Sequence, residues 1–159
     1  MAIASKVQDY LSSHGVRYEV LTHPHSHTSM QTAHLAHVPP HALAKSVVLA
    51  DDNGYLMAVL PASHHVQLGK LGKELDSRVR LAGEGELARM FADCEPGAVP
   101  SVGPAYGMRT VVDESLAGEG EIYFESGDHE QLIRTSGRDF MAMLAGADHA
   151  HFAERRWHH

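Results

Sequence analysis

The chain has 159 residues, enough for one domain, and its 43% hydrophobic and 21% charged content can bury a core rather than stay disordered. No run approaches the roughly 20 apolar residues of a helical membrane span, and no apolar leader stretch opens the chain, so a cytoplasmic protein is expected. Acidic residues outnumber basic ones by 20 to 13, for a formal charge of −7, which argues against a surface that grips nucleic acid along its phosphates.

In chain order, Ile3, Val7, Tyr10 and Leu11 form one apolar stripe and predict a helix over 3–14, with Gly15 as its stop. Val16–Leu21 alternates as a short strand. Thr28-Ser-Met-Gln31 has capping-box spacing and predicts a helix to about His37, ended by Pro39-Pro40. The apolar runs Lys45–Ala50 and Tyr55–Leu60 flank Asp51-Asp-Asn-Gly54, where Asn-Gly predicts a type I′ hairpin. Neither run alternates cleanly, so both strands are expected to be covered on two faces.

Residues 66–75 read as a helix despite Gly69 and Gly72, Ser77–Leu81 as a strand, and 84–92 as a helix carrying Leu87, Met90 and Phe91 on one face. Between Cys94 and Gly107, Pro96, Pro100 and Pro104 interleave with Gly97, Gly103 and Gly107, the pattern of an ordered loop. Strands follow at 108–113, 121–125 and 131–135, then a helix over 138–145; no pattern is evident after Gly146. Hairpin-joined strands mixed with helices predict a mixed α/β fold with a largely antiparallel sheet, in one domain spanning 1–159.

Fourteen histidines occur in clusters, among them His23, His25 and His27. An extended strand would put those three on one face, as a metal site requires. Pro24 and the lack of an accompanying Cys or carboxylate favour a His-rich surface loop instead. The lone Cys94 excludes an internal disulfide and reads as a small loop residue rather than a nucleophile. Ser46 and Lys45 form no dyad, because adjacent strand residues point to opposite faces.

Three features carry the chemistry: Lys45 at the head of an apolar strand, the loop Glu95–Gly107, and Gly127-Asp128-His129 between two strands. Taken singly they read as a strand-edge lysine, a turn cluster and a hairpin turn. In this order and spacing, over about residues 3–152, they resemble the YbaK/prolyl-tRNA-synthetase-associated family of aminoacyl-tRNA editing domains. Ala44-Lys-Ser-Val-Val-Leu49 resembles that family's lysine strand, Cys94–Pro104 its glycine-rich loop, and Glu121–Arg134 its C-terminal hairpin.

The resemblance implies a barrel-like sheet flanked by helices and a metal-independent, cofactor-free deacylase that clears a small amino acid (Ala, Cys, Ser or Thr) from mischarged tRNA. The implied partners are the aminoacyl-tRNA acceptor end and a synthetase, with no membrane and no DNA. It implies that Lys45 holds a phosphate or the substrate end, that Gly97 and Gly103 bring backbone N–H groups to the ester, and that Thr28, Ser101, Val102, Pro104, Asp128 and His129 contact substrate. Met30, Val47 and His64 are expected nearby. The loop departs from the family's Gly-x-x-x-Pro spacing, since Gly97 to Pro100 is one residue short and Gly103-Pro104 is adjacent. Two competing readings are a non-catalytic binding module of the same fold and a His-rich metal-binding protein.

Overall fold

The structure, a computed structural model, describes residues 4–95 and 98–155. Helix α1 (Ser5–Ser13) buries Val7 and Leu11, one turn apart, and Gly15, at φ +61°, lets the Val16 N–H turn back to the Leu11 carbonyl at 3.2 Å. Strand β1 (Glu19–Thr22) is shorter than the alternation at Val16 suggested. Helix α2 (Ser29–Ala36) starts with half of the expected capping box: the Thr28 hydroxyl accepts the Gln31 N–H at 3.1 Å, while the Gln31 side chain reaches past the cap and accepts the His27 N–H at 2.7 Å.

Strands β2 (Leu43–Asp51) and β3 (Gly54–Pro61) form the expected hairpin, but with a different turn. Asp51 pairs with Gly54, so the loop residues are Asp52 and Asn53, and only Gly54 has a positive φ. The Asp51 carboxylate accepts the Asn53 N–H at 2.8 Å, and this local Asx bond takes the place of the type I′ geometry. Strand β4 (His64–Val66) leads into α3 (Leu68–Leu75). Strand β5 is only Arg80–Leu81, because Ser77 is drawn back to the Gly72 carbonyl at the end of α3.

Helix α4 (Glu84–Met90) precedes the proline-rich loop, which ends in a 3-10 turn at Gly103–Tyr106. Strands β6 (Arg109–Asp113), β7 (Glu121–Glu125) and β8 (Gln131–Ser136) and helix α5 (Gly137–Met143) fall close to their expected positions. The tail, patternless in sequence, contributes β9 (Asp148–Ala150) and β10 (Ala153–Arg155). Asp113 holds them: its Oδ1 accepts the N–H groups of Phe152 and Ala153 at 2.9 and 2.8 Å, a contact made across about forty positions of chain.

The main sheet runs β1-β8-β7-β2-β3-β6-β9, with β5 also on β2, while β10 pairs with β4 apart from it. Pairings are antiparallel except β2–β7, β3–β6 and β6–β9. One face packs Ala44, Val48, Val59, Phe124 and Ile133 under α1 and α5. The other carries two separate clusters, one of Leu43, Tyr123 and Leu132 with Ala33 of α2, the other of Leu49, Leu56 and Leu60 with Leu71 of α3. Among the described residues, no helix is long and apolar enough to cross a membrane.

Candidate functional site

Lys45 lies on the second face, between those two clusters. Strand alternation groups it with Leu43, Val47 and Leu49, and it pairs with Leu60. Its side chain is half-buried. On one edge β2 is paired along most of its length with β3. On the other edge β7 pairs with Leu43 and Ala44 and β5 with Leu49 and Ala50, so the ladder is interrupted between these two pairings. The proline-rich loop lies against this gap, where Ser46, pointing away from Lys45, donates its hydroxyl to the Val99 carbonyl at 2.8 Å.

The register of β2 with β7 brings in a residue the sequence reading did not single out. Leu43 faces Tyr123 and Ala44 faces Phe124, where the pairing ends, and strand alternation puts Glu125 on the face of Tyr123, the face that Leu43 and Lys45 share. Glu125 is 8% exposed. Its Oε2 lies 3.1 Å from Nδ1 of His129 and 3.4 Å from the Thr32 hydroxyl, which is itself 2.6 Å from the Ser26 hydroxyl. Ser26, Thr32, Glu125 and His129 thus form a buried polar network joining α2 to the β7–β8 turn. The signal in the sequence was parity: Glu125 shares a face with Tyr123, and a carboxylate at an inward strand position needs a partner.

The β7–β8 turn is built to aim His129 inward. Gly127 sits at φ +122°, where an added Cβ would approach the Ala4 Cβ at 3.0 Å and the Cys94 Sγ at 3.4 Å. Asp128 closes the turn: its Oδ1 accepts the N–H groups of Glu130 and Gln131 at 2.9 and 3.0 Å, so this carboxylate serves the backbone. His129 then takes a left-handed φ of +61°, uncommon for a residue with a side chain, and is 3% exposed. His25 stands over it, rings edge-on at 5.8 Å, and pairs with Glu130 at 3.5 Å.

The other expected contacts fall elsewhere. Gly97 lies outside the described residues. Gly103 is buried against β3 and β6, where a Cβ would collide with the Thr110 hydroxyl and approach the Met57 Cβ at 3.4 Å. Val102 is fully buried in the cluster on the face away from Lys45. Ser101 is buried too, with its hydroxyl unpartnered among the described residues, and Pro104 opens the 3-10 turn. Thr28 caps α2, and Met30 packs near Leu43. Val47 packs toward Leu49, and His64 lies within the electrostatic reach of Lys45. Burial holds the His64 imidazole below its ordinary pKa; Arg155 and Lys45 act in the same direction and Asp113 opposes them.

The rings of His25 and His27 meet edge-on at 5.2 Å, but His23, His25 and His27 do not gather as a set of three. The His23 ring is buried and its Nδ1 meets the Pro24 carbonyl at 2.7 Å, while His25 pairs with Glu130. Among the described residues, no group of three or more His, Cys, Asp or Glu is placed to hold a metal ion. Cys94 lies between Asp93 and Tyr106, 3.3 Å from the tyrosine hydroxyl, and burial pushes its thiol up to about 12. A cavity of about 770 Å³ bounded by Leu87, Phe91, Cys94 and Val99 lies on this side of the loop, away from Lys45.

The sequence profile of the aminoacyl-tRNA editing domain matches residues 23–143. A search of curated proteins finds no match. Among solved structures, the hypothetical protein APE2540 superposes with a TM-score of 0.83 at 23% identity, covering 94% of this chain and 100% of that one. A "putative trans-editing enzyme for prolyl tRNA synthetase" gives 0.81 at 24% identity, covering 95% and 96%. A "Putative signal transduction protein" from Marinobacter aquaeolei VT8 gives 0.78 at 21% identity; the match covers 96% of this chain but 31% of that one. At these identities the structures establish a shared fold.

Proposed function

This chain belongs to the aminoacyl-tRNA editing domain family, and from that premise we propose that it is a trans-acting deacylase, hydrolysing the ester between a small, wrongly attached amino acid and the terminal ribose of a tRNA. One observation supports the reading: Lys45 is half-buried on β2, the neighbouring β7 runs into the buried Glu125–His129 pair on the same face, and Ser46 clamps the proline-rich loop to β2. These supply a cationic anchor, an imidazole and a backbone surface.

Each part has a task in ester hydrolysis. Lys45 serves as a point charge for a phosphate or for the ribose end, a role that needs reach more than a fixed fork. The loop takes the oxyanion or the amino-acid backbone through main-chain N–H groups. We assign this to the stretch around Val99–Ser101 rather than to Gly103, whose surroundings are filled by β3 and β6. His129 contacts the ester end or the attacking water. None of these steps calls on a metal, since an activated ester needs only a positioned water and a stabilised oxyanion. The acidic balance of the chain fits a footprint confined to the acceptor end.

The test is a deacylation panel with Ala-, Cys-, Ser- and Thr-charged tRNAs, run on wild type and Lys45→Ala. Hydrolysis of at least one substrate is expected, with the rate on it falling by about 100-fold or more in the variant, the size typical of losing one group that meets developing charge. No hydrolysis of any substrate would replace the deacylase by a binding module of the same fold. Hydrolysis unaffected by Lys45→Ala would remove the lysine from the mechanism.

A further inference from the structure

The β4–β10 ribbon carries two further basic groups toward the head of β2. We propose that His64 and Arg155 hold a phosphodiester of the single-stranded tRNA 3′ end, beside the place that Lys45 serves. The kinetic consequence rests on the deacylase reading, whereas the binding itself does not.

The placement follows from strand parity. β4 and β10 pair antiparallel, with Val66 opposite Ala153, His65 opposite Glu154 and His64 opposite Arg155. Val66 and Ala153 pack on the cluster of Leu49, Leu56, Leu60 and Leu71, so their side of the ribbon turns toward the second face of the main sheet. Alternation puts His64 and Arg155 on that same side. Lys45 is there too, since it pairs with Leu60 of the cluster. The turn into β4 is tied down at this end: the Ala62 N–H donates to the Leu43 carbonyl at 2.8 Å, two residues before Lys45. On the other side of the ribbon His65 meets Glu154 at 3.9 Å, and Lys70 joins that carboxylate at 3.0 Å.

In a chain of formal charge −7, basic side chains from three strands brought to one end of a face call for an anion. Arg155 is exposed, and among the described residues no carboxylate pairs with it. Burial first, then Arg155, Lys45 and His65, disfavour the charged form of the His64 ring. Asp113 opposes them, but its oxygens are engaged: Oδ1 accepts from Phe152 and Ala153, and Oδ2 from Ser115. A guanidinium gives a phosphate two parallel hydrogen bonds, and a neutral imidazole can donate a third. An unpaired RNA end carries one phosphate per nucleotide, so an ester held near Lys45 sets the preceding phosphates within reach of such a pair.

The experiment titrates the His64 ring by NMR in the whole protein, with the trinucleotide CCA and inorganic phosphate as separate probes, and adds steady-state deacylation. CCA is expected to raise the His64 pKa by about half a unit or more, because the anion favours the charged ring. Arg155→Gln is expected to weaken CCA binding about tenfold, the size of one charge-assisted hydrogen bond. It should also lower the slope of log affinity against log salt by about 0.7, the share of one single-strand phosphate. On a charged tRNA that the wild type hydrolyses, this variant should raise KM about tenfold with kcat within about twofold. A His64 ring that CCA does not move overturns the proposal, as do CCA binding unchanged in Arg155→Gln and a loss confined to kcat. A ring that answers inorganic phosphate but not CCA assigns the site to free phosphate and overturns the RNA end. If the wild type hydrolyses no charged tRNA, the deacylase reading fails while the CCA titration still decides the site.

Discussion

Ser46 and Val99 are fifty-three positions apart in the chain, yet the serine hydroxyl donates to the valine carbonyl at 2.8 Å, and this contact holds the proline-rich loop against the open edge of β2. Because Ser46 points to the opposite face from Lys45, it organises the site without occupying it. Ser46→Ala is expected to cost about 1 kcal/mol of stability, the usual size of one such bond. A larger effect on deacylation than on unfolding by urea, with kcat/KM down by about tenfold for a loop displaced by a fraction of an ångström, would match its role. Equal kcat/KM in variant and wild type would mean the loop is positioned by other contacts.

Gly103 separates packing from catalysis. An added methyl has nowhere to go between the Thr110 hydroxyl, the Met108 carbonyl at 3.3 Å and the Met57 Cβ. Gly103→Ala should therefore destabilise the fold by about 1–3 kcal/mol, the range for overpacking. Coupling it with Thr110→Ser leaves the colliding hydroxyl in place and should rescue little, whereas Thr110→Ala should recover much of the loss. A normal thermal midpoint with lost activity would instead return Gly103 to the ester.

The thiol of Cys94, pushed up to about 12 by burial, is almost wholly protonated at neutral pH. Alkylation of the native protein by iodoacetamide at pH 8 should be at least tenfold slower than that of the urea-unfolded chain. Cys94→Ala should keep full deacylation. Rapid labelling of the native thiol would show that this corner of the loop opens.

His64 gives the fold a pH dependence with a definite sign. Its folded pKa is depressed below the ordinary 6.5, chiefly by burial. The neutral ring therefore supports the fold fully above 6.5, and that support is lost as pH falls through the lower folded value, since the unfolded chain takes up the proton first. Thermal midpoints should decline below about pH 6.5, and His64→Gln should flatten part of that decline. Identical profiles for the two proteins would exclude this origin.

The helices and strands were largely legible in the sequence for local reasons. The capping hydroxyl of Thr28, the positive-φ glycine at position 15 and the apolar runs on either side of Asp51–Gly54 act over a few residues, so their consequences can be read where they occur. The same is true of Lys45, whose charge interrupts an otherwise apolar strand. The hairpin turn was misread because Asn53-Gly54 and Asp51-Asp52-Asn53 compete over the same four residues, and the aspartate's side-chain bond wins.

What only the tertiary structure decided is which distant residues share one place. Glu125 lies on the face of Leu43 and Lys45 through the parallel register of β7 on β2, Gly103 is walled in because the loop folds onto β3 and β6, and β9 and β10 are held by Asp113, which collects two N–H groups from the tail. The physical reason is common to all three. Strand register and long-range hydrogen bonds are settled by the fit of whole faces, and no short stretch of this chain carries that information. By itself the sequence determined that Lys45 would stand near the head of a buried strand; the packed sheet determined that a buried glutamate and histidine would meet across the turn after β7.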